Sequence, residues 1–249
     1  MTGSKGTAPA TDPVAVAVVV FPGSNCEHDV VEGLSLLGAR TALAWHTERT
    51  LAGYDAIVVP GGFAHGDYLR PGAIARFSPV MEAVQLSAAA GVPVLGICNG
   101  FQVLTEAHLL PGALMRNAGG RFLCQMVECE VTSTASVMTA MTTVGDRLRL
   151  PINHFEGNYT CTPETAAELE SNGQVLLRYR SNPNGSTRSI AAVANEQGNV
   201  VGLMPHPERS CTELMSSGDG RKLLQSFLLA AEARRNQRNA GSDAVVATA

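Results

Sequence analysis

A cysteine with a glycine two residues to either side, set at the end of an apolar run, constrains this chain more than any other feature. The run 92–97 reads as a buried strand and ends in Gly96-Ile97-Cys98-Asn99-Gly100. That spacing is a nucleophile elbow with Cys in place of Ser. A sharp strand-to-helix turn needs small residues at 96 and 100, because a Cβ there would collide with neighbouring backbone. The turn lifts the thiol out at the carboxyl end of the sheet. It also sets the thiol at a helix N-terminus, whose dipole attracts negative charge. The same local pattern fits a buried structural cysteine ahead of a helix, since unpaired Cys is among the most buried residue types.

A second segment, VVGLMPHPERS at 200–210, turns the balance toward chemistry. An apolar strand runs into Pro205-His206-Pro207-Glu208, and the two prolines stiffen the backbone around the histidine. His206 and Glu208 are two residues apart, so in extended chain both point to one side. A base that takes a thiol proton needs an imidazole, and a carboxylate fixes that imidazole's tautomer and orientation. Cys98, His206 and Glu208 supply this set. Alone, His206 reads as a loop histidine; beside the cysteine elbow it reads as the base.

The rest of the chain frames one α/β domain. At 249 residues it can bury a sizeable core, and 45% hydrophobic with 16% charged residues argues against disorder. Strands are expected at 14–21, 41–45, 56–59, 92–97, 126–131, 174–179, 189–194 and 200–204. Helices are expected at 27–37, 71–90, 98–107 and 220–235. In the last helix Leu224, Phe227, Leu228 and Ala231 share one face and read as core packing. The alternation implies a largely parallel sheet with helices on both faces and a site at the strands' carboxyl ends. The domain spans 14–235. Residues 1–13 and 236–249 read as disordered tails, and 132–173 carry weak periodicity.

Several function classes drop out. The longest apolar run is too short to cross a bilayer, and the N-terminus lacks the basic and apolar regions of a secretory signal. A net charge of −4 without a Lys/Arg block argues against nucleic-acid binding. The six cysteines are scattered, with no metal-ligand spacing, so no metal is expected. A working thiolate suits a reducing cytoplasm. No G-x-x-x-x-G-K-[ST] occurs, so an ATP site is not expected in this chain. Pro60-Gly61-Gly62-Phe63 follows the strand 56–59. Its paired glycines let backbone N–H groups approach a ligand, though by sequence alone they fit a plain turn equally well. His65, Asp67, Tyr68 and Arg70 read as a solvated loop, and Arg188, Glu208 and Arg209 also fit a solvated face.

The chain resembles the triad, or class I, glutamine amidotransferases. More closely it resembles the family of glutaminase subunits of phosphoribosylformylglycinamidine synthase. G-I-C-N-G-F-Q and H-P-E carry the first resemblance. VVVFPGSNCEHD (18–29), VVPGGFAHGDYLRPGAIAR (58–76) and NPNGS (182–186) carry the second. The resemblance implies a flavodoxin-like fold and hydrolysis of L-glutamine through a Cys98 thioester. It implies that the Gly61, Gly62 and Phe63 loop and the Asn99 N–H form an oxyanion hole. It implies that Gln102, on the same helix face as Cys98, holds the substrate; a bland surface Gln is the alternative. By the same resemblance the ammonia passes to a large synthetase subunit that uses ATP and Mg²⁺, with a small third subunit in the complex. The resemblance implies too that the 64–72 loop lies at the mouth of the site, facing the synthetase, and that the backbone of 151–159 holds the substrate's α-amino and carboxylate groups. One departure stands out in that second loop: relatives carry His-Gly-Glu-Gly where this chain has His154-Phe155-Glu156-Gly157. His154 reads as structural rather than as a second base. A Cys-elbow chaperone or peptidase would not need H-P-E or Gln102, and a non-catalytic binding subunit would not need the intact triad.

Overall fold

The computed structural model describes residues 12–214 and 217–246, with side chains described as far as residue 240. The strands in chain order are β1 (Ala15–Val20), β2 (Arg40–Trp45), β3 (Ala56–Val59), β4 (Val94–Ile97), β5 (Ala113–Met115), β6 (Leu123–Val131), β7 (Arg147–His154), β8 (Asn158–Thr160), β9 (Val175–Tyr179), β10 (Ile190–Ala194) and β11 (Val200–Leu203). The helices are α1 (Glu27–Leu36), α2 (Pro79–Ala89), α3 (Asn99–Glu106), α4 (Pro163–Ser171) and α5 (Gly220–Val246).

Nine strands form one sheet in the order β2-β1-β3-β4-β11-β10-β9-β6-β7, and β5 pairs with β8. The first five are mutually parallel and the other four extend the sheet antiparallel. Burial follows from this division. β1, β3, β4 and β11 are buried at every residue, as apolar runs covered on both faces should be. β7 alternates exposed and buried, as an antiparallel strand with one wet face does.

From β1 the chain moves outward through α1 to β2, then back through β3 and α2 to β4 on the other side. Right-handed crossovers in opposite directions put α1 and α2 on opposite faces. The reversal between β1 and β3 is the switch point where such sheets open a crevice at their carboxyl ends. Loops 21–26 and 60–63 meet there, with Ser24 bridged to Gly62. Beside them β3, β4 and β11 end in register, Val59 opposite Gly96 and Ile97 opposite Leu203. The segments leaving these three strands therefore converge.

Three expectations need correction. The helix expected at 71–90 begins only at Pro79. Ser78, the residue before proline, is extended (ψ 141°), because the proline ring disfavours helical backbone there. The helix expected to stop at 235 continues as α5 to Val246. Asn, Gly, Ser, Asp and Val in this stretch are poor helix formers, so the extension draws on propagation, each added residue gaining a hydrogen bond, rather than on propensity. Arg235 and Arg238 fasten it to buried Asp55. The expected tail at 236–249 is thus helical to 246; residues 1–11 and 247–249 lie outside the described residues. Finally, 132–173, left without an element by its weak periodicity, contains all of β7 together with β8 and α4. Pro151 sits in β7, which tolerates it at the sheet edge. The apolar stripe of α5 is core, with Leu224, Phe227, Leu228 and Ala231 all buried. The larger of these side chains contribute about 1.5–3 kcal/mol each.

Candidate active site

Cys98 ends the β4 run and caps α3 with φ 51° and ψ −104°, a left-handed backbone rare outside glycine. Its N–H donates to Leu203 O (2.8 Å), which ties the elbow to β11. Both glycines are required as the sequence predicts. A Cβ at 100 would strike the Val59 carbonyl, and one at 96 would lie 2.8 Å from Gly100 backbone and 2.6 Å from Leu104.

His206 is buried, and its N–H donates to Pro151 O on β7 (2.8 Å). Its Nδ1 meets Glu208 Oε1 at 2.6 Å, and Glu208 is fully buried. Nε2 makes no conventional hydrogen bond and is left for the Cys98 thiol. Burial pulls the imidazole down, but the charges of Glu208 and Cys98 outweigh it and raise His206 to about 10. Cys98, His206 and Glu208 are thus brought together as expected, and Glu208 is no solvated group. Gly61 makes room for the ring: a Cβ there would lie 2.9 Å from His206 Cε1.

A cavity of about 190 Å³ opens over Cys98, walled by Gly62, Asp67, Gln102, Asn153, Glu156 and His206, among others. It is smaller than the roughly 300–1,000 Å³ of drug-sized sites and suits a single amino acid. Larger hollows, such as that beside Leu37 and Leu228, hold no comparable chemistry. Asn99 begins α3, where the first N–H groups have no helical partner. Within the glycine loop, Phe63 N–H is spent on Gly23 O (3.0 Å). Gly62 N–H bonds to no described residue and is left available to a ligand. Gly62 has φ 140°, and a Cβ there would lie 2.7 Å from Asn25 N.

Gln102 lies on the cavity wall, buried rather than a surface residue. Its Oε1 accepts from Asn99 Nδ2 (2.8 Å) and its Nε2 donates to Glu156 O. In this arrangement it braces the 153–157 loop. His154 is buried, its Nδ1 3.1 Å from Asn117 Oδ1. Burial, reinforced by His206, lowers it to about 4, which keeps it neutral and fits a structural histidine. Phe155 stands at the rim with Arg116 over its ring.

Of the loop residues read as solvated, His65 contacts Ser78, Arg70 pairs with Glu106 (2.6 Å), and Tyr68 is exposed. Asp67 instead lines the cavity. Arg188 pairs with Glu170 away from the site, while Arg209 joins Asp29 and Cys26 at the cavity's edge. Sequence reasoning missed Asn25 and Cys26 as lining residues, and it placed the 64–72 and 151–159 loops at the site by resemblance without singling out Asp67, Asn153 or Glu156. Only FPGSNC and GGFAHGD, already conspicuous, pointed to Asn25, Cys26 and Asp67. Burial pushes the Cys26 thiol up to about 12 against the pull of Arg209, so this second cysteine stays protonated. Among the described residues no group of three His, Cys, Asp or Glu could hold a metal, and no helix is long and apolar enough to cross a membrane.

Comparison with known proteins agrees with this geometry. Residues 13–225 match the CobB/CobQ-like glutamine amidotransferase domain family. The chain is 53% identical to phosphoribosylformylglycinamidine synthase subunit PurQ of Rubrobacter xylanophilus, over 87% of this chain and 99% of that one. It is 51% identical to the subunit of the same name from Chlorobaculum parvum, over 90% and 93%. A chain in the structure of PurLQS from Thermotoga maritima superposes with a TM-score of 0.81 at 40% identity, covering 88% of this chain and 98% of that one. The chain belongs to the glutamine amidotransferases, in the family of glutaminase subunits of phosphoribosylformylglycinamidine synthase.

Proposed function

We propose that this chain hydrolyses L-glutamine at Cys98 and delivers the ammonia to an ATP- and Mg²⁺-dependent synthetase subunit. That subunit converts formylglycinamide ribonucleotide to its amidine in purine biosynthesis, making the chain the glutaminase half of a C–N ligase. The observation that carries the reading is Cys98 at a strained elbow beside an imidazole whose far nitrogen is held 2.6 Å from a fully buried carboxylate.

The geometry supports a two-stage hydrolysis. His206 Nε2 takes the Cys98 proton, and the sulfur attacks the side-chain amide carbon of glutamine. The C=O electron pair moves to oxygen, and the oxyanion is met by the N–H groups of Asn99 and Gly62. Collapse breaks the C–N bond as His206 returns the proton to departing ammonia. Water, deprotonated by His206, then attacks the thioester, releasing glutamate and the thiol. Ammonia loses its nucleophilicity when protonated in bulk water, so direct transfer to a synthetase is required.

Beside Asp67 on the cavity wall, Tyr68 and Leu69 are 72% and 82% exposed. Apolar exposure on this scale supports a covering partner, the synthetase, with a small third subunit in the complex. A cytoplasmic location is part of the same proposal. The domain spans 14–235, with α5 continuing beyond it.

The test is Cys98→Ala in the assembled complex. Glutamine-dependent product formation should vanish while synthesis from added ammonia survives. Retention of glutamine use by the variant would refute the assignment.

A further inference from the structure

The cavity must hold an amino acid by more than its amide, and one wall carries a carboxylate without a counter-charge. Asp67 lines the cavity, and its Oδ1 accepts from Asn99 Nδ2 (2.9 Å). Among the described residues no Lys or Arg pairs with it, whereas Glu156, also on the wall, is paired with Arg116 (3.6 Å). Burial raises Asp67 to about 6, reinforced by Glu156 and opposed by the Asn99 bond. Its ionised form is therefore costly until a cation arrives.

The backbone is shaped to present this group. His65, Gly66, Asp67 and Leu69 all have positive φ, from 51° to 70°, a run held against its own preference. Asn99 fastens the loop from both ends of its side chain: Oδ1 accepts from Ala64 N–H (2.9 Å) and Nδ2 donates to Asp67. The residue next to the nucleophile thus presents its N–H to the reacting amide and its side chain to Asp67. One residue links the two ends of the site at a fixed separation.

We propose that Asp67 recognises the α-ammonium group of the substrate and makes this site specific for an amino acid over a simple amide. The proposal rests on the glutaminase reading above. A primary ammonium fits the observations: it supplies the missing charge and donates to the oxygens that Asn99 leaves open. A substrate carboxylate would be repelled from the same wall.

The test compares L-glutamine with 4-carbamoylbutanoate, its analogue without the α-ammonium, as ammonia sources for the full chain assembled with its synthetase subunit. Asp67→Asn keeps the acceptor for Asn99 and tolerates left-handed backbone. KM for glutamine should rise at least about tenfold, the scale of a charge-assisted hydrogen bond, with little change in kcat. KM for the analogue should not move, so the preference for glutamine collapses. Alkylation of Cys98 by iodoacetamide should keep its wild-type rate. Loss of kcat on both substrates alike, or slowed alkylation, would show that Asp67 only positions Asn99 and would overturn the proposal. So would an unchanged KM for glutamine. If the wild-type complex released no ammonia from glutamine, the glutaminase reading would fall and the subsite with it.

Discussion

Cys98 holds a backbone conformation that costs on the order of 1–3 kcal/mol, and it persists because Gly96, Gly100 and the tie to Leu203 leave it no other. The strain aims the thiol at His206 rather than into the core. His206 in turn depends on Glu208. Without the carboxylate charge, burial would pull the imidazole down against Cys98 alone. With His206 raised to about 10, the imidazolium beside Cys98 persists to high pH, and kcat/KM should fall only as pH approaches that value. Glu208→Gln should move this alkaline limb down by about a unit or more and lower the plateau. Steady-state rates across the neutral to alkaline range measure it, and an unmoved limb would remove Glu208 from the role.

The elements do their work through close approach. α3 comes so near β3 that position 100 admits only glycine, and this contact sets the distance between the elbow and the 60–63 loop. That loop is tied to 22–26 through Phe63 N–H to Gly23 O, His65 N–H to Pro22 O and Cys26 N–H to Gly61 O. FPGSNC is therefore the brace of the 60–63 loop. NPNGS does the same for the opposite wall: buried Asn184 donates to Gly157 O (2.7 Å) and accepts from Ser186 Oγ (2.7 Å). Gly100→Ala should destabilise the chain by about 1–3 kcal/mol, the usual cost of overpacking. For a domain of this size that lowers Tm by several degrees, readable by thermal melting. Glutamine turnover should fall far more steeply than stability, since β3 and the elbow are forced apart. A variant with unchanged Tm and turnover would contradict the close contact.

Across the whole molecule, the parallel half of the sheet carries Cys98 and His206, and the antiparallel half returns to close the site. β7, at the far edge in pairing order, gives Pro151 O to His206 N–H, and Asn153 O lies 3.8 Å from Cys98 Sγ. A glutaminase working without its synthetase would waste substrate, so the isolated chain should be slow. Synthetase loaded with ATP and ribonucleotide should raise glutamate release at least about tenfold, some 1.4 kcal/mol of barrier. Because the 60–63 loop is tied to 22–26, the two should move together on docking. Equal rates with and without the partner would refute this gating while leaving the chemistry intact.

The parallel core, the elbow and the pairing of His206 with Glu208 were readable from residue order. Each is local or pairs two short motifs, and each rests on a steric demand that residue type alone reveals: glycine at 96 and 100, proline around His206, unbroken apolar runs for doubly covered strands. Tertiary structure alone decided the rest. β7 carries a proline and alternates, so its strand state depends on an edge position that no window of sequence contains. Gln102 points where the sequence predicts, but its amide is committed to Asn99 and Glu156, a choice made by a loop some fifty residues away. Asp67 belongs to a loop of polar residues that solvation would explain. Only the folded chain withdraws it from water without a counter-charge, because charge pairing is a property of what converges in space.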